Sequence, residues 1–544
     1  MSEVGRASAL IATGTLVSRV LGFGKSIMLT AAIGATASQA GATYGLANQL
    51  PNNIYALVAG GVLSAVLVPQ IVKASLREDG GQAYVNKIIT LGGTVFLAIT
   101  VLATLLAPWI TQLYVHQAAE GESGFTAAEI SFAIAIAYWC MPQIFFYAMY
   151  TLIGEIFNAR KRFGPFTWAP VANNIISIAG FAGFIYLFGG RRLNIDTWGA
   201  EMIAVIGGVT TLGVVAQTVV LVLCFKRTGL TFRFDFGWRG VGLRATGQRA
   251  GWLLGVVVIG QIKGVYQMYV SSMAGTEHAT VLTFQNSWYL FSLPHSIIAV
   301  SIAIAFFTRM SHHGNSGDIA AIRTDVSSAL RGVGMLTTIS ALYLAIVAIP
   351  FARVYEAEFE NQVAMAWVIW AMLICLVAFS TEYVLQRVFF ALDDTKTAFF
   401  YSIFGLVVTV VLLTLVRNLP PEWIIAGCAL AISGANLISA GVWLILVRRK
   451  IGAFGLKLIA MRHIQYLVYG LIAIVPGGLI VWGLGGYTDG GFGSRNILGA
   501  MTTCGISGLV VVGVYFGILY ITKNPDFRST FDLVMARFRP ARGK

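Results

Sequence analysis

The segment GTLVSRVLGFGKSIML, residues 14–29, has the apolar composition of a membrane helix but contains two cations, Arg19 and Lys25. Two glycines, Gly22 and Gly24, lie between them. A cation at the bilayer centre costs roughly 2.5–3.5 kcal/mol on insertion scales, so it needs a compensating role. The segment therefore predicts a membrane-spanning helix with a polar function inside the bilayer.

The whole chain has the composition of a membrane protein. Of its 544 residues, 57% are hydrophobic and 11% are charged, and the mean hydropathy is +0.77. A soluble domain carries about 25% charged residues. Apolar runs long enough to cross a hydrocarbon core of roughly 30 Å recur from end to end. The five cysteines lie in apolar segments without a CxxC pair, as small buried hydrophobes do.

These runs predict an all-α polytopic membrane protein with about fourteen transmembrane helices. The predicted spans cover residues 8–35, 42–73, 84–114, 126–157, 165–189, 200–225, 249–274, 279–309, 319–351, 362–391, 397–416, 421–447, 465–486 and 495–522.

The positions of the basic residues predict the orientation. Lysine and arginine concentrate in alternate loops and in the C-terminal tail, whereas the opposite loops, such as HQAAEGES and YEAEFEN, are neutral to acidic. Because cytoplasmic loops carry the excess of basic residues, both termini are predicted to be cytoplasmic. The net charge of +14 is then mainly a topological signal facing anionic lipid, and a nucleic-acid partner is not expected.

One stretch of the second half repeats features of a stretch in the first half. LANQLPNNIYALVAGG corresponds to TFQNSWYLFSLPHSII, anchored by Pro51 and Pro294, and each has amides before a Leu-Pro pair. Such repeats predict two pseudo-symmetric lobes around a central cavity, with hinges at the matched prolines. Ordinary kinks are the alternative interpretation. The predicted parts are a lobe at 1–225, a linker at 226–248, a lobe at 249–447, two further helices within 448–522, and a basic tail at 523–544.

The intramembrane cations predict an anion site. Arg19 and Lys25 are six residues apart and do not share a face of an ideal helix, so Gly22 and Gly24 are predicted to bend it. Arginine as a planar fork and lysine as a mobile charge suit a diphosphate. Lys263, in the counterpart helix of the second half, is predicted to join them. The alternatives are that Lys25 snorkels to the interface and that Arg19 donates hydrogen bonds to carbonyls of a neighbouring helix.

Amide side chains form the second candidate set. Those of the second span are spaced as two i,i+4 pairs, and two more precede Pro294 in the second half. They are interpreted either as interhelical hydrogen bonds or as cavity groups that bind a sugar or peptide. The set comprises Asn48, Gln49, Asn52, Asn53, Gln285 and Asn286.

Enzymatic motifs are missing from the sequence. HExxH, GxSxG and P-loop patterns do not occur, and no soluble segment is long enough for a catalytic domain. The chain is therefore predicted to be a secondary transporter without a cofactor, driven by a coupling cation or by the membrane potential. In the turn ALDDTKT, Asp393 is predicted to cap the following helix.

Four stretches together resemble the MurJ/MviN family of lipid II flippases, in the superfamily that includes MATE exporters. They are GTLVSRVLGFGKSIMLTAAIGA, NQLPNNIYALVAGGVLSAVLVPQ, FNARKRFGPFTWAPVANNI and FFALDDTKTAFF. The resemblance implies a fourteen-helix, two-lobed fold in the bacterial cytoplasmic membrane. It also implies outward movement of lipid II, an undecaprenyl diphosphate bearing a disaccharide-pentapeptide, for cell-wall synthesis. Arg19 matches the family's cavity arginine, and Lys25 stands where the family usually has a second one.

The sequence departs from the better-known family members at several polar positions. Ser26 replaces a common acid, and Tyr55, Ala56 and Gly60 stand where basic residues and a glutamate are usual. Tyr289 replaces an arginine expected before the second-half proline. This lean set of charges resembles actinobacterial members. It leaves two alternatives open: a related polysaccharide-lipid or multidrug exporter, and a non-transporting scaffold for cell-wall or division proteins.

Overall fold

A computed structural model describes residues 3–59, 67, 70–119, 122–237 and 247–528. Gly60, part of the predicted linker and most of the predicted tail lie outside these ranges. The described residues are helical apart from turns, loops and one isolated bridge, as the sequence predicts. The first helices are α1 (Glu3–Ile33), α2 (Gln39–Ala59), α3 (Gln82–Leu105), α4 (Ala107–Tyr114), α5 (Ala127–Cys140), α6 (Gln143–Ala159), α7 (Phe163–Phe188), α8 (Ala200–Cys224) and α9 (Gly247–Ser272).

The remaining helices include a π-helical turn, His295–Ala299, which joins α10 to α11. They are α10 (Val281–Pro294), α11 (Val300–Asn315), α12 (Ile319–Ile346), α13 (Ala348–Ala352), α14 (Phe359–Leu373), α15 (Leu376–Ala391), α16 (Thr395–Val416), α17 (Pro421–Ile451), α18 (Leu456–Gly483), α19 (Phe492–Arg495) and α20 (Ile497–Ile521).

Within the described ranges, eleven helices are long and apolar enough to cross a membrane, or twelve if the bent pair α14–α15 counts as one span. The predicted number was about fourteen. Two predicted spans are not among these helices. The structure describes the span 42–73 only in part, mainly as α2, and the span 249–274 is helical as α9. These two helices carry the candidate amides of the first half and Lys263.

Several helices begin at a side-chain cap, which satisfies backbone N–H groups that have no partner within the helix. Thr126 and Glu129 form a reciprocal capping box at the start of α5. At α16 the cap is Asp394, whose Oδ1 accepts a hydrogen bond from the Thr397 amide at 3.1 Å. The prediction of Asp393 as the cap was wrong by one residue: Asp393 adopts a left-handed backbone conformation with φ 57°, which turns the chain before the cap.

The described residues form two compact units, Met1–Leu282 with Pro420–Ile424, and Thr283–Leu419 with Ile425–Lys544. In the first unit, α7 packs along both α1 and α8, while α2 packs against α4, α5, α6 and α9. Helix α9, which the sequence assigned to the second lobe, therefore belongs to the first compact unit. The predicted division of the chain into five parts stays a prediction.

In the second unit, α12 packs against α11, α15 and α18, and α18 packs against α20. The carboxylate of Asp526, just after α20, contacts two other helices of the second unit. Asp526 accepts hydrogen bonds from Arg331 Nε at 2.8 Å and from the Tyr466 hydroxyl at 2.7 Å. These contacts hold the segment that follows the last helix against α12 and α18.

Candidate functional site

Lys25 lies against a buried network of polar side chains in the first unit. Its Nζ donates a long hydrogen bond of 3.4 Å to Asn173 Oδ1 on α7. The same oxygen accepts from Ser177 Oγ at 3.2 Å, and Asn173 Nδ2 donates to Gln217 Oε1 on α8 at 3.0 Å. Because an unsatisfied buried amide is costly, this chain of contacts fixes the carboxamide that faces Lys25.

The polar side chains of α7 lie directly against α8 at Gly213. A Cβ at this position would lie 2.4 Å from Asn173 Oδ1 and 2.6 Å from Ser177 Oγ, and any other residue would therefore clash. A small residue that lets two backbones approach is typical of membrane helix interfaces. Gly213 thus makes room for the carboxamide that contacts Lys25.

Arg19 lines a cavity of about 370 Å³ between α1, the end of α6 and the start of α7. The guanidinium is the only charged group among the residues that line this cavity. Tyr150 and Phe166 form one wall, with their rings stacked at 5.1 Å, and Asn158 and Thr167 add polar groups. The cavity joins a cation, aromatic faces and hydrogen-bonding groups.

Helix α1 is helical without interruption through Gly22 and Gly24, where the sequence predicts a bend. Both glycines face α7: an added Cβ would lie 3.6 Å from Asn174 or from Ile178, which is ordinary contact. Six residues separate Arg19 from Lys25, or roughly 9 Å along the axis. Both cations lie near α7 without a break in the helix, Arg19 beside its start and Lys25 at Asn173. A role of these glycines as a hinge stays a prediction.

The candidate amides of α2 contact neighbouring helices. Gln49 donates to Asn53 Oδ1 at 3.1 Å, which confirms that one predicted i,i+4 pair is in contact. Asn53 donates to the Tyr114 hydroxyl on α4 at 3.2 Å, and Asn48 accepts from Gln143 Nε2 on α6 at 3.4 Å. The contacts of Asn53 with Tyr114 and of Asn48 with Gln143 are interhelical hydrogen bonds, one of the two interpretations of the sequence. Substrate binding by the same amides stays a prediction.

Asn52 and Lys263 are half-buried on α2 and α9, which pack together in the first unit. Pro51 is buried within α2, and the helix continues through it. Lys25, the amides of α2 and Lys263 therefore share one compact unit. Their convergence on a diphosphate stays a prediction.

The candidate residues of the second half other than Lys263 lie in the second unit. Asn286 is fully buried on α10, Gln285 is half-buried, and Pro294 is the last residue of α10 before the π-helical turn. A π-helical turn is a common site of bending in helices. The next residue, His295, is buried and shares a 3.1 Å hydrogen bond with Ser380 on α15.

Sequence reasoning missed the residues that hold Lys25. Asn173 stood inside a stretch quoted for its family resemblance, and its spacing from Ser177 is a helical i,i+4 pair within an apolar span. That spacing was the available signal, since paired polar residues in a membrane helix usually have a partner helix. Gln217 and Gln143 offered a weaker signal, because each is a single amide in its span. Among the described residues, no group of three or more His, Cys, Asp or Glu side chains could hold a metal ion.

Comparisons with known proteins place the chain in a family. The profile of the family described as "Lipid II flippase MurJ" matches residues 29–498. The chain belongs to this family. A probable lipid II flippase MurJ of Rhizobium tropici is 24% identical over 526 residues, covering 94% of this chain and 93% of the relative. One from Vibrio cholerae serotype O1 is 23% identical over 537 residues, covering 95% of each chain. Members of the MurJ family are flippases and not enzymes.

Solved structures confirm the fold of this MurJ-family chain. A structure titled "Lipid II flippase MurJ, inward closed conformation" superposes with a TM-score of 0.71 at 18% identity, covering 97% of this chain and 100% of that one. An inward-facing multidrug resistance MATE family transporter of the MOP superfamily gives 0.59 at 16% identity, covering 82% and 98%. The all-helical, polytopic fold predicted from the sequence is therefore confirmed.

Proposed function

We propose that this chain translocates lipid II from the inner to the outer leaflet of the cytoplasmic membrane for cell-wall synthesis. The observation that carries the proposal is the match of the lipid II flippase family to residues 29–498. The cations Arg19 and Lys25 on the first apolar helix support it, because a diphosphate needs positive charge. A likeness to actinobacterial members, suggested by the small number of charged residues at the family's polar positions, is part of the same proposal.

In this function the cations bind the diphosphate. Arg19 offers planar hydrogen-bond donors inside a cavity, and Lys25 offers a point charge that Asn173 positions. Lys263 on the neighbouring α9 adds a third charge, and amides such as Asn48 bind the sugar and peptide. At about 370 Å³ the Arg19 cavity holds part of the headgroup at a time.

Transport proceeds by alternating access, with bending at Gly22, Gly24, Pro51 and Pro294, while the lipid tail stays in the bilayer. Both termini are cytoplasmic in this proposal. The energy comes from a coupling cation or from the membrane potential, which supplies about 2.3 kcal/mol per charge moved per 100 mV. Cell-wall synthesis or division proteins are the expected partners besides membrane lipids.

The test uses a strain whose own lipid II flippase is depleted, and it measures lipid II exposed on the outer face. The wild-type chain should restore exposure. Arg19→Ala should lose most of it, whereas Arg19→Lys should keep part, because a lysine retains the charge without the planar fork. Normal exposure with Arg19→Ala as the only copy would remove Arg19 from the mechanism.

Two alternatives give different results in companion experiments. The likeness to MATE structures favours an exporter as the second candidate, and an exporter of cationic drugs would be stabilised on heating by such drugs and not by lipid II. A scaffold would keep its function after loss of the three candidate cations. Full complementation by the triple variant Arg19→Ala, Lys25→Ala, Lys263→Ala would therefore support the scaffold.

A further inference from the structure

The loop after α8 contains an extended segment, residues 231–236, that is fastened along α3. The Thr231 amide donates to Gln82 Oε1 at 2.9 Å, and the Arg233 amide donates to Asn86 Oδ1 at 3.2 Å. The Asp235 amide donates to Thr90 Oγ1 at 3.0 Å. Every second residue of the segment is therefore bound to every fourth residue of the helix.

This register follows from the geometry of the two elements. Four residues of extended chain rise about 13 Å. Eight residues of an α-helix, from Gln82 to Thr90, rise about 12 Å. The segment can therefore run parallel to α3 and bond at three successive points without strain. It follows the first two turns of a helix that is apolar enough to span a membrane.

The alternation of the sequence TFRFDF gives the segment two different faces. One face carries Phe232, Phe234 and Phe236, which are 39%, 75% and 65% exposed. Their rings form a continuous column, with centroids 5.0 Å apart for the first pair and 6.3 Å for the second. The other face carries Arg233, which is exposed and charged.

We propose that this phenylalanine column is a membrane anchor that inserts into the bilayer interface beside the start of α3. Three exposed aromatic rings in a row are unfavourable in water, and the segment lies where a spanning helix enters the membrane. The exposed cations Lys226, Arg227 and Arg233 lie on the same loop and attract anionic headgroups. On the predicted orientation, this is the anionic cytoplasmic leaflet.

The hydrogen bonds to α3 explain why extended backbone can lie at this depth. Non-helical backbone near a membrane must have its polar groups satisfied by protein or water. One edge of the segment bonds to Gln82, Asn86 and Thr90, and the other edge meets headgroups and water at the interface. The anchor thus holds the segment 231–236 at a fixed depth, independently of the transported substrate.

The experiment measures the depth of single spin labels on the full chain in vesicles of mixed anionic and zwitterionic phospholipid. Cysteines are placed one at a time at 231 to 236, in a background with Cys224→Ala and Cys504→Ala. Collision with oxygen reports lipid, and collision with a water-soluble nickel complex reports water. References are Arg77→Cys in a loop and Leu102→Cys on the exposed face of α3.

Labels at 232, 234 and 236 should collide severalfold more with oxygen than with nickel, and labels at 231 and 233 should show the reverse. Asn86→Leu should abolish this alternation of collision rates along the segment, because it releases the segment from α3. Asn86→Gln should keep part of the alternation. If labels at all positions collide with nickel as readily as the label at Arg77→Cys does, with or without an added protein partner, the proposed membrane anchor is refuted. Low collision with both reagents would refute it as well, because it would mean that protein covers the column.

Discussion

Replacement of Gly213 by alanine tests the network that positions Lys25. The new Cβ would lie 2.4 Å from Asn173 Oδ1 and 2.6 Å from Ser177 Oγ, so either the helices separate or the carboxamide turns away. Strain of this kind costs about 1–3 kcal/mol. A displaced hydrogen bond adds about 1 kcal/mol. The better helix propensity of alanine returns about 1 kcal/mol. The expected net loss of stability is about 1–3 kcal/mol.

Two neighbouring glycines of α8 are matched controls. A Cβ at Gly208 would lie 3.8 Å from the Trp139 ring, so Gly208→Ala should leave stability unchanged or slightly raised. A Cβ at Gly207 would lie 2.5 Å from Trp139 Cβ, so Gly207→Ala should destabilise without touching Asn173. The midpoint of thermal unfolding in detergent and the exposure of lipid II on the outer face are measured for all three variants.

Gly213→Ala should lower the unfolding midpoint and reduce lipid II exposure more than Gly207→Ala does at comparable stability. The difference arises because only Gly213→Ala displaces the carboxamide that contacts Lys25. If Gly213→Ala and Gly208→Ala have the same midpoint of thermal unfolding, α7 and α8 do not approach closely at Gly213. If it destabilises but transports like Gly207→Ala, Asn173 does not position Lys25.

Three further predictions concern other parts of the chain. Gly22→Ala with Gly24→Ala should fold as stably as wild type because both sites have room, yet slow lipid II exposure if α1 bends; unchanged transport would exclude the hinge. Burial opposes the ionised form of Asp394, but its hydrogen bonds with Lys450 and Thr397 outweigh burial and hold the pKa below its usual range. Its stabilisation is therefore present at neutral pH and lost as the pH falls below about 4. At neutral pH, Asp394→Asn keeps the cap, so it should lower the midpoint of thermal unfolding less than Asp394→Ala does. The loss of the cap in Asp394→Ala should cost about 0.5–2 kcal/mol more; equal midpoints for the two variants would show that the cap contributes nothing. Asp526→Asn should expose the chain after α20 to added protease, and an unchanged cleavage rate would contradict its docking.

The sequence determined the class of the protein because hydropathy and charge placement act locally. Each apolar run must form its own helix in lipid, since its backbone groups have no other partner there. The polar character of α2 and α9 was also visible, as were the cations of α1. The four matching stretches identified the family. Turn chemistry was less certain, and the cap of α16 was wrong by one residue because Asp393 and Asp394 are equally suitable by type.

Only the tertiary structure decided how the polar residues are used. Lys25 contacts a carboxamide of α7 that Gln217 of α8 holds and for which Gly213 leaves room, and no pattern in a single span encodes the distance between two helices. Arg19 lines a cavity shaped by aromatic side chains more than a hundred positions away in the chain. The unbroken course of α1 and the packing of α9 in the first unit are likewise results of helix packing. Local composition fixes which residues enter the membrane, whereas close approach between helices fixes which of them meet.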